Sequence, residues 1–180
     1  MTDDPGWDGL TAEDALLLSM RAERLRALPT SQEAEAQFWA AEFPIGQETF
    51  ALPLAALRGC APLRMVTPLP LAPPHVLGVA RFQGEIVTAF SLTMLLGTRS
   101  WGTDPFVLVV VRLSGGQTVA LDCEQVPVQV EIPRSEVDRQ VLGPGDLSAP
   151  VVVPGPRVIH LIDVERLARR VQEGTGADRG

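Results

Sequence analysis

The chain has 180 residues, 46% of them hydrophobic, enough for one substantial domain or for two small ones that share an interface. Its formal charge of -7 repels phosphate backbones and anionic headgroups, so nucleic acid and membrane surfaces are poor partners. No apolar run approaches the ~18 residues of a membrane span, and the run from Ala15 to Leu18 is too short for the core of a signal peptide, so a cytoplasmic protein is expected.

Residues 1–36 differ in texture from the rest. Thr11 and Asp14 form a weak capping box before a stretch rich in good helix formers, which predicts a helix over about 12–28 ended by Pro29. Leu17, Met20, the stem of Arg24 and Leu28 give it a loose apolar stripe, as in a solvated or loosely docked extension.

From Phe38 the pattern becomes one of short β-favouring runs separated by Gly and Pro. Strands are expected at Phe38 to Phe43, Glu48 to Pro53, Ala56 to Cys60, Val76 to Phe82, Glu85 to Ser91, Phe106 to Leu113, Gln117 to Asp122, Val126 to Ile132, Pro150 to Val153 and Arg157 to Ile162. So many short strands at close spacing predict an all-β barrel architecture. Val126, Val128, Val130 and Ile132 alternate with Pro127, Gln129 and Glu131, as in a strand with one face inward. Pro68, Pro70, Pro73 and Pro74 stiffen an apolar connection between two of the runs.

The runs repeat at a period of roughly 70 residues. Gly46-Gln47 before Phe50-Ala51-Leu52 recurs as Gly116-Gln117 before Val119-Ala120-Leu121. The hairpin around Gly84 recurs around Gly155, and Ser91 to Leu95 recurs as Asp163 to Leu167. Two small barrels of about five strands, over 37–97 and 106–172, are therefore expected to pack on one another, because neither buries enough apolar surface alone. A closing helix is capped by Asp163, buries Val164, Leu167, Ala168 and Val171, and is expected to stop at Gly174, with Arg166, Arg169 and Arg170 solvated and 173–180 a disordered tail.

The chain offers little for catalysis. A nucleophilic triad draws on only two histidines, and the best grouping, Cys123 with His160 and Asp163, spends its carboxylate on the helix cap. His75 follows Pro73-Pro74 with no ligand-type neighbours, Glu33 and Glu35 lack a pocket, and no glycine-rich phosphate cradle is present, so neither metal nor cofactor is expected. The cysteines Cys60 and Cys123 lack C-x-x-C spacing and are expected to be buried free thiols.

The run from Thr67 to Gly97 resembles the signature of the CheW-like family, roughly T-P-x-P-x-x-P-x-x-V-x-G-V-x-N-x-R-G-x-x-x-P-V-x-D-L-R. Thr67, Pro68, Pro70, Pro73, Val76, Gly78, Val79, Gly84 and Leu92 fall in register without a gap. The Gly46 to Leu57 segment and Arg157 to Ala168 resemble the family's opening strands and its closing strand and helix. The resemblance implies two intertwined SH3-like barrels and a non-catalytic adaptor between a chemoreceptor's cytoplasmic tip and a CheA-type histidine kinase. It points to Leu57, Gly78, Arg81, Phe82 and Gln83 as partner-binding residues. The chain departs where the signature's Asn and Arg become Arg81 and Gln83, and where its Pro, Asp and last Arg become Thr88, Ser91 and Thr93. The joint loss of a guanidinium and a carboxylate reads as loss of a polar bridge, in a divergent adaptor or one that binds a single partner. Strand alternation places Arg81 and Gln83 on one face.

Overall fold

The computed structural model describes residues 37–98 and 102–176. The expected helix over 12–28 and residues 177–180 lie outside them. The described strands are β1 (Gln37–Ile45), β2 (Glu48–Pro53), β3 (Leu57–Pro62), β4 (Val76–Phe82), β5 (Glu85–Phe90), β6 (Val107–Arg112), β7 (Thr118–Cys123), β8 (Val128–Pro133), β9 (Ser148–Val153) and β10 (Arg157–Ile162). Short helices follow as α1 (Leu92–Leu96) after β5 and α2 (Arg134–Asp138) after β8. The longer α3 (Val164–Gly176) follows β10.

The strands form two five-stranded sheets, ordered β8-β1-β2-β10-β9 and β3-β6-β7-β5-β4. Advancing every strand of the second sheet by one repeat reproduces the order of the first, so the sequence repeat is also a repeat of topology. Neither half of the chain builds a sheet alone. The first sheet takes β1 and β2 from the first half and β8, β9 and β10 from the second, while the second sheet takes the reverse. The halves meet in four strand pairs: the antiparallel β1 with β8 and β3 with β6, and two parallel pairs, β2 with β10 through Phe50 opposite His160 and β5 with β7 through Phe90 opposite Leu121. All other named strand pairs are antiparallel.

This exchange explains three separate apolar clusters. Phe43, Leu52, Phe90, Val109, Leu121 and Ile162 belong to one core fed by both sheets, closed by Leu92 and Leu95 of α1 and by Leu167, Ala168 and Val171 of α3. On the opposite faces, Ala40, Val130, Ile132, Val151, Ile159 and Leu161 fill the first barrel, and Ala80, Val87, Ala89, Leu108, Val110 and Ala120 fill the second. β6 is apolar at every position from Val107 to Val111 because its odd residues face the shared core and its even residues the barrel interior. Each fully buried Leu, Ile or Val contributes about 1.5–3 kcal/mol.

Four expectations are corrected. Only Val130 and Ile132 of β8 turn inward, whereas Val126 and Val128 are exposed, since Val126 precedes the strand and Val128 is its first residue, outside the cluster that fills the first barrel. Cys60 is exposed on the edge strand β3, while Cys123 is buried. The helix α3 runs through Gly174 to Gly176, so residues 173–176 are helical rather than part of a tail.

Arg166, finally, is not on a solvated face. Its guanidinium donates to the carbonyls of Gly143 at 2.6 Å and Asp146 at 3.1 Å, tying the 142–146 loop to α3. The cap is as expected, with Asp163 Oδ1 accepting from the N–H groups of Glu165 and Arg166 at 2.8 and 3.0 Å.

Candidate functional site

The five sequence-predicted residues all fall on β3, on β4 or in the turn after it, the two edge strands of the second sheet. Leu57 opens β3 half-buried against the shared core. It follows Ala55 and Ala56, which line an open cleft of about 730 Å3 together with Phe38, Arg112, Val164 and Glu165. The cleft draws its walls from strands of both sheets and from α3.

Gly78 sits buried at a register shift in β4, with φ of 145°. A β-carbon there would overlap the carbonyl of Thr67 and come within 2.9 Å of Pro68 Cα. The backbone that approaches Gly78 is therefore the chain's own. Thr67 lies against β4 because its N–H donates to the Val79 carbonyl at 2.7 Å and its carbonyl accepts from the Val79 N–H at 2.9 Å. The outer edge of β4 is covered by this bridge, and Gly78 is what lets it close.

Phe82 packs inward at the rim of the second barrel's filling. Its ring stands 3.0 Å from where a β-carbon on Gly59 would lie, so Phe82 closes the seam between β3 and β4. Arg81 is exposed, and Gln83 is exposed in the turn rather than in the strand. Phe82 pairs with Glu85, leaving Gln83 and Gly84 as a two-residue loop with φ of 49° and 88°. Positive φ at both central residues is the type I′ pattern that matches strand twist. The left-handed backbone at Gln83 breaks the strand alternation, so Arg81 and Gln83 do not share a face in the way two strand residues would.

The presumed polar bridge is corrected by the same geometry. Gln83 precedes β5 and Ser91 follows it, so the two positions stand about 20 Å apart along a six-residue strand. No Arg–Asp pair spans that distance. Ser91 is buried, with its Oγ 3.2 Å from Thr93 Oγ1. The structural acid nearby is Asp122, whose Oδ1 accepts the Leu92 N–H at 2.7 Å and so holds the start of α1. Sequence reasoning passed over Asp122, although a carboxylate following Val119-Ala120-Leu121 in a strand was the available signal.

The residues weighed for catalysis serve packing. His160 stacks on Phe50 at 5.1 Å between ring centres, with Nε2 3.9 Å from Glu48, and Asp163 is engaged by the α3 N-terminus. Burial pushes the Cys123 thiol up to about 12, far from a nucleophile's range. No group of three or more His, Cys, Asp or Glu that would hold a metal occurs among the described residues. Nor is any helix among them long and apolar enough to cross a membrane.

Among solved structures the chain is similar to the scaffolding protein TtCheW from Thermoanaerobacter tengcongensis, at 16% identity and a TM-score of 0.62, over 72% of this chain and 86% of that one. That likeness is one of fold. No curated protein matches the chain in sequence. The family model for the CheW-like domain matches residues 40–172, a span that takes in both sheets and most of α3. The chain thus belongs to the CheW-like domain family.

Proposed function

We propose that this protein is a non-catalytic cytoplasmic adaptor that couples a chemoreceptor's cytoplasmic tip to a CheA-type histidine kinase. The observation that carries the reading is the CheW-like match across both barrels. Edge strands β3 and β4, with the cleft beside Leu57, supply the contact surface: Arg81 and Gln83 meet the partner, and Leu57, Gly78 and Phe82 hold that edge in shape. No cofactor, nucleic acid or membrane insertion enters this reading. Reconstitution tests it. Adding the purified protein to a CheA-type kinase and receptor from the same genome is expected to raise receptor-dependent autophosphorylation, and Arg81→Ala is expected to weaken the association. Unchanged kinase activity with no binding to either protein would overturn the reading.

A second reading is favoured by Gln83 and Ser91, which replace the signature's Arg and Asp. A member lacking both charges binds one partner and caps or inhibits the array. In the same reconstitution, inhibition of the kinase, or binding to only one component, selects this reading over coupling.

A further inference from the structure

The connection between β3 and β4 carries features that packing does not explain. The Ala72 N–H reaches the Leu69 carbonyl at 3.4 Å, with Pro70 and Leu71 at the turn's centre, and Leu71 has φ of 62°. Proline followed by a positive φ is the type II pattern, whose third position belongs by preference to glycine. Here it holds leucine, and that side chain is fully exposed, at 101%. The chain thus accepts backbone strain in order to display an apolar side chain to solvent.

Leu69 and Met65 are also exposed beside it, at 43% and 49%. The display is rigid. Four prolines restrict the loop, Thr67 is bridged to Val79, and the Val76 N–H donates to Pro73 at 2.8 Å.

Charge sharpens the picture. The protein is acidic as a whole, yet no Asp or Glu occurs between Glu48 and Glu85, while Arg58, Arg64 and Arg81 do. Among the described residues none of these three forms an ion pair. Arg64 immediately precedes Met65, and Arg58 and Arg81 adjoin Gly59 and Phe82, which meet at the β3–β4 seam.

We propose that this loop is a docking knob for a partner protein, with Leu69 and Leu71 entering an apolar cleft whose rim carries carboxylates that pair with Arg58, Arg64 and Arg81. A convex apolar tip fits a concave partner, and a locally basic surface on an acidic protein selects an acidic one. Preorganisation by the prolines limits the ordering cost of binding. The net charge of -7 disfavours the alternative in which the knob enters an anionic bilayer. The inference rests on the adaptor reading and assigns it a contact surface.

The test measures binding of the full chain, by titration calorimetry, to a purified CheA-type kinase and to a purified chemoreceptor cytoplasmic fragment from the same genome. Phosphatidylcholine vesicles doped with phosphatidylglycerol form a third arm. Leu71→Gly suits the backbone, so it is expected to melt no lower than the natural protein yet to bind one of the two proteins about tenfold more weakly or worse. Arg64→Ala is expected to weaken the same complex and flatten its salt dependence. Natural-strength binding by Leu71→Gly overturns the knob and leaves the adaptor reading standing. Failure of the natural protein to bind either protein overturns both, and Leu71-dependent binding to vesicles alone overturns the protein partner in favour of a membrane.

Discussion

The buried carboxylate of Asp122 accepts the backbone N–H of Leu92 at 2.7 Å, joining β7 to the first turn of α1 across 30 positions of sequence. Ser91, the residue preceding α1, makes no side-chain cap, so Asp122 supplies from another strand what a local cap would. Asp122→Ala is expected to cost about 1.5–3 kcal/mol, the range for a hydrogen bond to a charged group. Asp122→Asn, which keeps an acceptor oxygen, is expected to cost less. Urea unfolding of both variants checks the order.

Gly78 makes a sharper prediction. A side chain there meets the Thr67 backbone and must adopt φ of 145°, so neither the strand nor the bridge accommodates it. Gly78→Ala is expected to lose roughly 3 kcal/mol or more and Gly78→Asp to fold poorly. Thermal melts read this directly.

Arg166→Ala releases the Gly143 and Asp146 carbonyls and is expected to destabilise the protein by about 1–3 kcal/mol. Lysine is not expected to restore the loss in full, because a single ammonium lacks the second prong of the guanidinium, whose Nη2 reaches the Leu142 carbonyl at 3.4 Å while Nη1 holds the other two. Amide exchange over 142–146 is expected to rise in both variants.

At Gln83 the turn prefers a residue that tolerates left-handed backbone. Gln83→Asn is expected to raise stability by about 0.5–1 kcal/mol, given φ of 49° beside Gly84. Gln83→Arg, which restores the signature's charge, is expected to leave the melt nearly unchanged and to tighten binding to an ordinary CheA-type kinase or receptor. Calorimetry against denaturation separates the two effects.

The two thiols are expected to differ in reactivity and in pH behaviour. Cys60 is exposed and Cys123 buried, so iodoacetamide at mildly alkaline pH labels Cys60 first, though partial burial raises the Cys60 pKa as well. The folded protein keeps the Cys123 proton up to about 12, whereas the unfolded chain releases it near the ordinary 9.0. Stability from this group is therefore complete below the ordinary value and declines as pH rises from there toward the folded one, by up to about 1.4 kcal/mol per pH unit. A Cys123→Ala variant is expected to lose that slope.

The sequence by itself determined the ten strands, the repeat and the capped closing helix. Alternation, β-branched runs and the Gly-centred hairpins at Gly46, Gly84 and Gly155 are local signals, and the family signature from Thr67 to Gly97 rests on residues that turns and close packing require. Only the tertiary structure decided which strands share a sheet, because the parallel pairs β2 with β10 and β5 with β7 join residues far apart in the chain. It likewise decided that Val128 faces solvent, that Arg166 clamps a loop, and that Gly78 makes room for the Thr67 backbone. Periodicity tells which side chains share a face. What that face meets depends on contacts between distant segments, and those contacts leave no period in the sequence.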